Sequence, residues 1–261
     1  MHNILLSLDT SLFKPSLTLI NSIIQNNTNI KFHILIDNNK DEYQNLLEKH
    51  FKIDFEIKEF NNEEEINFLM ENIVSFQKNQ HIFNLMNFAR FYLPTYFPEI
   101  KNGIYIDIDM IVQQNLDKIL EEFNYFDKDF EILSPMIMDM ESIGLNKIGY
   151  EGKAFNAGFM VWNLEKFRKE NKIEEIEELM IKQKQEKIWK LGTQPILNII
   201  YYQKVKDLNK NWNRKGFGKI GEDERMNKIG KNAFIIHWTG EVKPWDNKNV
   251  LGYQFWEKYI L

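Results

Sequence analysis

The 261-residue chain has no cysteine. That absence removes disulfides, thiolate-ligated zinc and thiol nucleophiles together, and leaves Asp, Glu and His as the candidate ligands of any metal. It also fits a reducing compartment. No apolar stretch approaches the roughly 18 residues that a membrane span needs, and the opening Ile4-Leu5-Leu6 run is too short for the core of a signal peptide. The expectation is a soluble, cytoplasmic protein with no transmembrane segment. Positive charge is not in excess: 33 Lys and Arg stand against 38 Asp and Glu, a net charge of -5. There is therefore no global attraction to phosphate backbones or anionic lipid, no basic patch of convincing size, and no nucleic-acid partner is expected. No Pro/Gly/Ser-rich linker and no internal repeat interrupts the chain, so residues 1–261 are expected to form a single domain. Homo-oligomerisation is left open.

What is present is ample core material. Hydrophobic residues make up 43% of the chain and Phe alone contributes 20, which argues against disorder. Ile4 to Leu8 is an apolar run stopping at Asp9-Thr10-Ser11, and Leu17, Ile20, Ile23 and Ile24 then recur at helical spacing. Phe32 to Ile36 repeats the pattern before Asp37-Asn38-Asn39, with Tyr43, Leu46 and Leu47 on the helix that follows. Phe51 to Phe60 alternates apolar and charged residues as an outer strand does, Leu85 to Phe97 predicts a helix closed by Pro98, and Ile104-Tyr105-Ile106 predicts a central strand. Glu165 to Gln185 and Pro195 to Tyr202 predict two further helices, and Phe234-Ile235-Ile236 a last strand ending at His237. Alternating strands and helices define the α/β class with a mostly parallel, Rossmann-like sheet.

In open α/β sheets ligands gather beyond the carboxyl ends of the strands, so polar residues there come first. Asp107-Ile108-Asp109 follows the central strand and precedes another apolar run, Met110-Ile111-Val112. In extended backbone residues i and i+2 point the same way, so both carboxylates can face one hard cation. Asp-x-Asp is also an ordinary solvated turn; its place between two apolar runs makes at least one carboxylate costly to desolvate without a partner. His237 likewise ends an apolar strand and begins His237-Trp238-Thr239-Gly240-Glu241-Val242-Lys243-Pro244-Trp245, in which Gly240 permits close backbone approach and Lys243 offers a compact charge for a phosphate. Trp162, Trp189 and Trp212 fit either core or an acceptor wall.

Four blocks in order carry a resemblance: Ile4 to Phe13; Phe88 to Pro94 leading into Tyr105 to Asp109; Phe155-Asn156-Ala157-Gly158-Phe159 with Asn163-Leu164; and His237 to Trp245. The chain resembles the family 8 retaining glycosyltransferases of the GT-A fold, which include glycogenin, bacterial lipopolysaccharide galactosyl- and glucosyltransferases and plant galacturonosyltransferases. The resemblance implies that Asp107, Asp109 and His237 bind Mn2+ or Mg2+ with the diphosphate of a UDP-sugar donor, and that Gly240 and Lys243 contact the phosphates. It implies uracil and ribose contacts at Ser7, Asp9 and Ser11, a basic donor-side residue at Arg90, and a donor strip through Ile108. Asn156, Ala157 and Gln194 match positions lining the donor sugar, and Asp139 an acceptor-side acid. Thr193-Gln194 stands where many relatives have Asp-Gln, and Leu12 where an aromatic is frequent. The implied activity is transfer of a hexose, glucose first, to a hydroxyl of a glycan or protein with formation of an α-linkage. A self-glucosylating primer, a UDP-sugar hydrolase and an inactive nucleotide-sugar-binding domain are the competing readings.

Overall fold

The structure is a computed structural model and describes residues 1–74, 84–120 and 130–261. The chain opens with β1 (His2–Leu8), α1 (Phe13–Asn26), β2 (Ile30–Ile36), α2 (Lys40–His50), β3 (Asp54–Glu59) and α3 (Glu63–Asn72). It continues through α4 (Leu85–Ala89), α5 (Leu93–Tyr96), β4 (Asn102–Ile106), β5 (Met110–Val112) and α6 (Asp117–Leu120). Next come β6 (Ile132–Ser134), β7 (Met138–Asp139), β8 (Lys153–Ala154), β9 (Phe159–Asn163), α7 (Leu164–Lys169), α8 (Lys172–Glu186) and α9 (Thr193–Ile200). The last elements are β10 (Val205–Asp207), α10 (Glu224–Asn232), β11 (Ile235–His237) and α11 (Tyr253–Glu257).

Among the described residues seven strands form the central sheet in the order β10-β6-β9-β4-β1-β2-β3. All neighbours are parallel except β9, which runs antiparallel to both β4 and β6. The mostly parallel α/β sheet expected from the sequence is what forms, with β9 as its antiparallel member. The continuous apolar runs of β1 and β2 are explained by burial on both faces. Along β4 the two-residue period divides the core: Tyr105 packs on one side with Leu5, Leu35 and Trp162, while Ile104 and Ile106 pack on the other with Leu6, Ile34 and Val161. β3 lies at an edge, and the charges of Asp54, Glu56 and Lys58 suit that exposed position.

Two expected helices are broken. Between Leu85 and Tyr96 the middle tightens into a 3-10 turn over Arg90–Tyr92, because Pro94 has no N–H and Leu93 donates to the Arg90 carbonyl instead. The charged 165–185 segment divides at Asn171, whose left-handed φ of 51° an asparagine accommodates readily.

The register that matters most lies outside the large sheet. β11 pairs antiparallel with β5, setting His237 opposite Met110 and Ile236 opposite Ile111. β5 is itself anchored by α1: Ser22 Oγ accepts from the Val112 amide at 2.9 Å and Asn26 Nδ2 donates to the Val112 carbonyl at 3.0 Å. A third apolar cluster, including Phe217, Trp238, Phe255 and Trp256, supports the C-terminal segment from behind. Burying four such aromatics contributes about 1.5–3 kcal/mol each relative to exposure, enough to fix β11 against the sheet.

Candidate active site

A cavity of about 620 Å³ opens where β1, β4 and β11 end. The carboxyl-end rule therefore locates it. Its wall contains Ser7, Asp9, Ser11, Arg90, Asp107, Ile108, Asp109, Asn156, Ala157, Gln194, His237 and Lys243, all expected from the sequence. Two expected residues lie elsewhere. The Asp139 side chain is 63% exposed on the β7–β8 ribbon and pairs with Lys153 at 2.8 Å; its neighbour Met138 lines the cavity instead. Gly240 packs against the backbone of Gly218, where any Cβ would collide with the Gly218 carbonyl, so its small size serves a loop crossing. Trp162, Trp189 and Trp212 are buried and belong to the core.

Each carboxylate at the centre divides its oxygens. Asp107 Oδ1 takes Arg90 Nη2 at 3.1 Å and the Tyr105 hydroxyl at 2.8 Å, while Oδ2 faces His237 Nε2 at 4.0 Å. Asp109 Oδ2 takes Lys243 Nζ at 2.6 Å, while Oδ1 lies 3.2 Å from His237 Nε2. Lys243 also donates to the Trp238 carbonyl at 2.7 Å. Burial opposes the charge on Asp109, but Lys243 and His237 outweigh it and hold the carboxyl well below the usual range. Arg90 is buried as well, and although desolvation works against its charge, Asp107 keeps its pKa above the ordinary value. Its guanidinium lies 4.7 Å over the Tyr105 ring, and its Nε and Nη1 donate to the carbonyls of Asn87 and Ala157 at 2.8 and 3.2 Å.

The imidazole is oriented from behind. His237 Nδ1 lies 3.0 Å from Asn213 Oδ1, which can only accept, so Nδ1 carries a hydrogen and Nε2 is the nitrogen turned to the carboxylates. The relay continues: Asn213 Nδ2 donates to Asn156 Oδ1 at 3.0 Å, and Asn156 Nδ2 donates to Gln194 Oε1 at 2.9 Å. Asn213 is 1% exposed and was not singled out in the sequence. Asn87 and Lys215, which also line the cavity, were missed too. In an Asn- and Lys-rich chain a single Asn or Lys carries no signal; Asn213 becomes visible only through the backbone pairing of its neighbour Arg214 with Ile236 of β11.

One oxygen from each aspartate and His237 Nε2 thus converge, all within 4.8 Å of one another. Two carboxylate oxygens and a neutral imidazole suit a divalent cation. Gly158 leaves room for it: a Cβ there would come within 2.5 Å of His237 Cε1 and 2.6 Å of Asp107 Oδ2. At the far end the β1 loop is already folded. Asp9 accepts from the Ser11 amide at 2.9 Å, from the Ser11 hydroxyl and from Asn84 Nδ2 at 3.0 Å, and Ser7 Oγ donates to the Met86 carbonyl at 2.7 Å.

This architecture is the GT-A fold of glycosyltransferases. It superposes on the galactosyltransferase LgtC, solved in complex with donor and acceptor sugar analogs, with a TM-score of 0.79 over 99% of this chain and 95% of that one at 18% identity. It superposes on the glycosyltransferase GlyE of Streptococcus pneumoniae with a TM-score of 0.70 over 100% of this chain and 61% of that one, also at 18% identity. The profile described as glycosyl transferase family 8 matches residues 3–249, and the chain belongs to that family. Among curated relatives, probable galacturonosyltransferase-like 4 of Arabidopsis thaliana is 26% identical over 93% of this chain and 73% of its own length. Glycosyltransferase 8 domain-containing protein 1 of Xenopus tropicalis is 26% identical over 67% of this chain and 54% of its own. Probable galacturonosyltransferase 9 of Arabidopsis thaliana is 26% identical over 70% of this chain, which spans only 34% of that relative. Among the described residues no helix is long and apolar enough to cross a membrane.

Proposed function

We propose that residues 1–261 act as one catalytic domain that transfers a hexose, glucose in the first instance, from a UDP-sugar to a hydroxyl of a glycan or protein acceptor, with retention of the α configuration. The observation that carries the reading is the convergence of Asp107 Oδ2, Asp109 Oδ1 and His237 Nε2 on one side of a cavity whose other wall holds Asn156 and Gln194. Asp107, Asp109 and His237 would hold Mn2+ or Mg2+, and the ion supplies Lewis-acid stabilisation of the negative charge that builds on the departing diphosphate. The chain's own residues do the rest. Lys243 sets a second positive charge beside that leaving group. Arg90 and Tyr105 fix the carboxylate of Asp107, so its free oxygen is aimed before the donor arrives. Asn156 and Gln194, locked by the amide relay, present dipoles to the sugar as positive charge develops at its anomeric carbon. Ser7, Asp9 and Ser11 receive the uridine in a loop whose hydrogen bonds are already made.

A second donor is favoured by one observation. Lys215 brings another ammonium into the cavity wall, its pKa lowered by burial against the opposing pull of Asp139, and such a cation suits the carboxylate of UDP-galacturonate. The test is to incubate the purified chain with Mn2+ or Mg2+ and UDP-glucose, UDP-galactose or UDP-galacturonate, with and without glycan acceptors. UDP release and product mass are followed, and proton NMR assigns the first-formed anomer. Acceptor-dependent formation of an α-glycoside is the expected result. UDP release indifferent to acceptor, with only free sugar formed, would replace the transferase reading by hydrolysis, and a β product would overturn retention.

A further inference from the structure

A second imidazole, outside the cavity lining, lies between two carboxylates. Glu99 precedes β4, whereas Asp107 follows it. His33 sits in the middle of β2, directly opposite Glu56 of the edge strand β3. Its side chain is 2% exposed, and Nδ1 lies 3.5 Å from Glu56 Oε2 and 3.9 Å from Glu99 Oε1. Nδ1 is buried and makes no hydrogen bond. A buried polar atom aimed at two acceptors and bonded to neither is an arrangement that folding avoids unless something joins them.

The proton on the ring can be located. Asn3 Nδ2 donates to the Asn102 carbonyl at 3.2 Å, which turns Asn3 Oδ1 toward His33 Nε2 at 3.1 Å. An amide oxygen only accepts, so Nε2 carries a hydrogen and Nδ1 is the nitrogen left to face the two carboxylates. Glu56 is oriented as well: Lys58 Nζ holds its Oε1 at 3.2 Å and donates to the Tyr96 carbonyl at 2.6 Å, leaving Oε2 for the cluster.

We propose that His33, Glu56 and Glu99 form a second divalent-cation site, selective for zinc, that ties the β2–β3 edge to the segment leading into β4. The donor set of one neutral imidazole and two carboxylates suits Zn2+ and leaves a fourth position for water. At ordinary Zn–N and Zn–O lengths, neighbouring donors of a tetrahedral ion lie about 3.4 Å apart. The Nδ1 separations of 3.5 and 3.9 Å are close to that, and the donor atoms all lie within 4.8 Å of one another. The adjustment falls on Glu99, the most exposed and adaptable of the three, whose side chain is 52% exposed. Asn3 supplies the outer hydrogen bond that ligating histidines ordinarily have.

The test uses the full chain carrying Asp107→Asn and Asp109→Asn, which disables the other cluster. Bound zinc is counted by elemental analysis after metal-free protein is loaded and desalted, and affinity is measured by calorimetric titration with zinc alone. One ion per chain is expected, with Glu99→Gln weakening binding at least tenfold. Zinc at 100-fold above its Kd should raise the ratio of folded to unfolded chains about 100-fold, and Glu99→Gln should cut that gain to about 10-fold or less at the same concentration. Glu99 is exposed, so its variant folds even where His33→Gln does not, and the loss of one ion can also be read in the chain with both aspartates intact. No bound zinc, or binding weakened less than tenfold by Glu99→Gln, overturns the proposal.

Discussion

The clusters at the two ends of β4 use the same three groups, one imidazole and two carboxylates, in different surroundings. At the carboxyl end Asp109 and Lys243 are each 14% exposed, Arg90 is buried beneath Asp107, and the imidazole is held by Asn213. At the amino end Glu56 and Lys58 are about one-third exposed and Glu99 is half exposed. Charges removed from water interact strongly and in fixed geometry, whereas exposed ones are screened and mobile. On the functions proposed above, the first cluster aims oxygens at a reacting ligand beside a cavity, and the second fastens strands. Both histidines have one ring nitrogen fixed by an asparagine oxygen, Nδ1 in His237 and Nε2 in His33, so the free nitrogen in each is set by which side the amide approaches.

The sharpest way to break this contrast is at Asp109. Asp109→Asn keeps the side-chain volume but removes an anionic oxygen and the counter-charge of Lys243. Transfer should fall by about 100-fold or more, as when a preorganised charge is removed from an active site. Wild-type turnover at limiting Mn2+ in steady-state assays would show that this end needs no metal. His237→Ala should act differently, raising the Mn2+ concentration for half-maximal activity at least about tenfold while leaving both carboxylates in place. A Mn2+ titration of UDP release separates that from a fall in the maximal rate. Asn213→Ala, which frees the His237 ring and breaks the relay to Asn156, should cost about 10–100-fold in metal affinity or rate, and Asn213→Asp, which retains an acceptor for Nδ1, should recover part of it.

The reasons why one cluster was legible in the sequence and the other was not are physical. Asp107 and His237 each end an apolar run and Asp109 stands just before the next one, and the place where a buried strand meets polar residues is where a parallel sheet presents its binding edge. His33 lies inside such a run and looks like core, Glu56 looks like the solvated half of an alternating edge strand, and Glu99 looks like a turn residue after Pro98. Nothing local joins them; the β2–β3 register does. The antiparallel insertion of β9 and the breaks at Pro94 and Asn171 also went unread, since a periodic pattern does not reveal strand direction or a single left-handed residue. Asp139 and Gly240 show the opposite limit. Each occupies a motif position, but a motif does not state the surroundings the structure gives it: an exposed ribbon and a pairing with Lys153 for Asp139, a backbone crossing for Gly240.

The two lysines give the finest discrimination between the ends. Lys243 spans Asp109 and the Trp238 carbonyl inside the cavity wall, and Lys243→Ala should weaken UDP binding by about tenfold, the value of a charge-assisted hydrogen bond in a desolvated site. Calorimetric titration with UDP at several Mn2+ concentrations measures it, and unchanged affinity at limiting metal would remove Lys243 from the phosphate site. Lys58 is the formal counterpart, holding Glu56 as Lys243 holds Asp109, but its side chain is 35% exposed. An ion pair at such a position gains little over two hydrated charges, and ordering a long lysine side chain offsets part of that gain. Lys58→Ala should therefore change unfolding free energy by less than about 1 kcal/mol in urea titrations with chelator present, and leave transfer within about twofold. A larger loss that persists in high salt would mean that its hydrogen bond to the Tyr96 carbonyl, rather than its charge, secures the edge. The amino-terminal cluster would then be held by backbone geometry, and the contrast between the ends would be one of anchoring rather than of exposure.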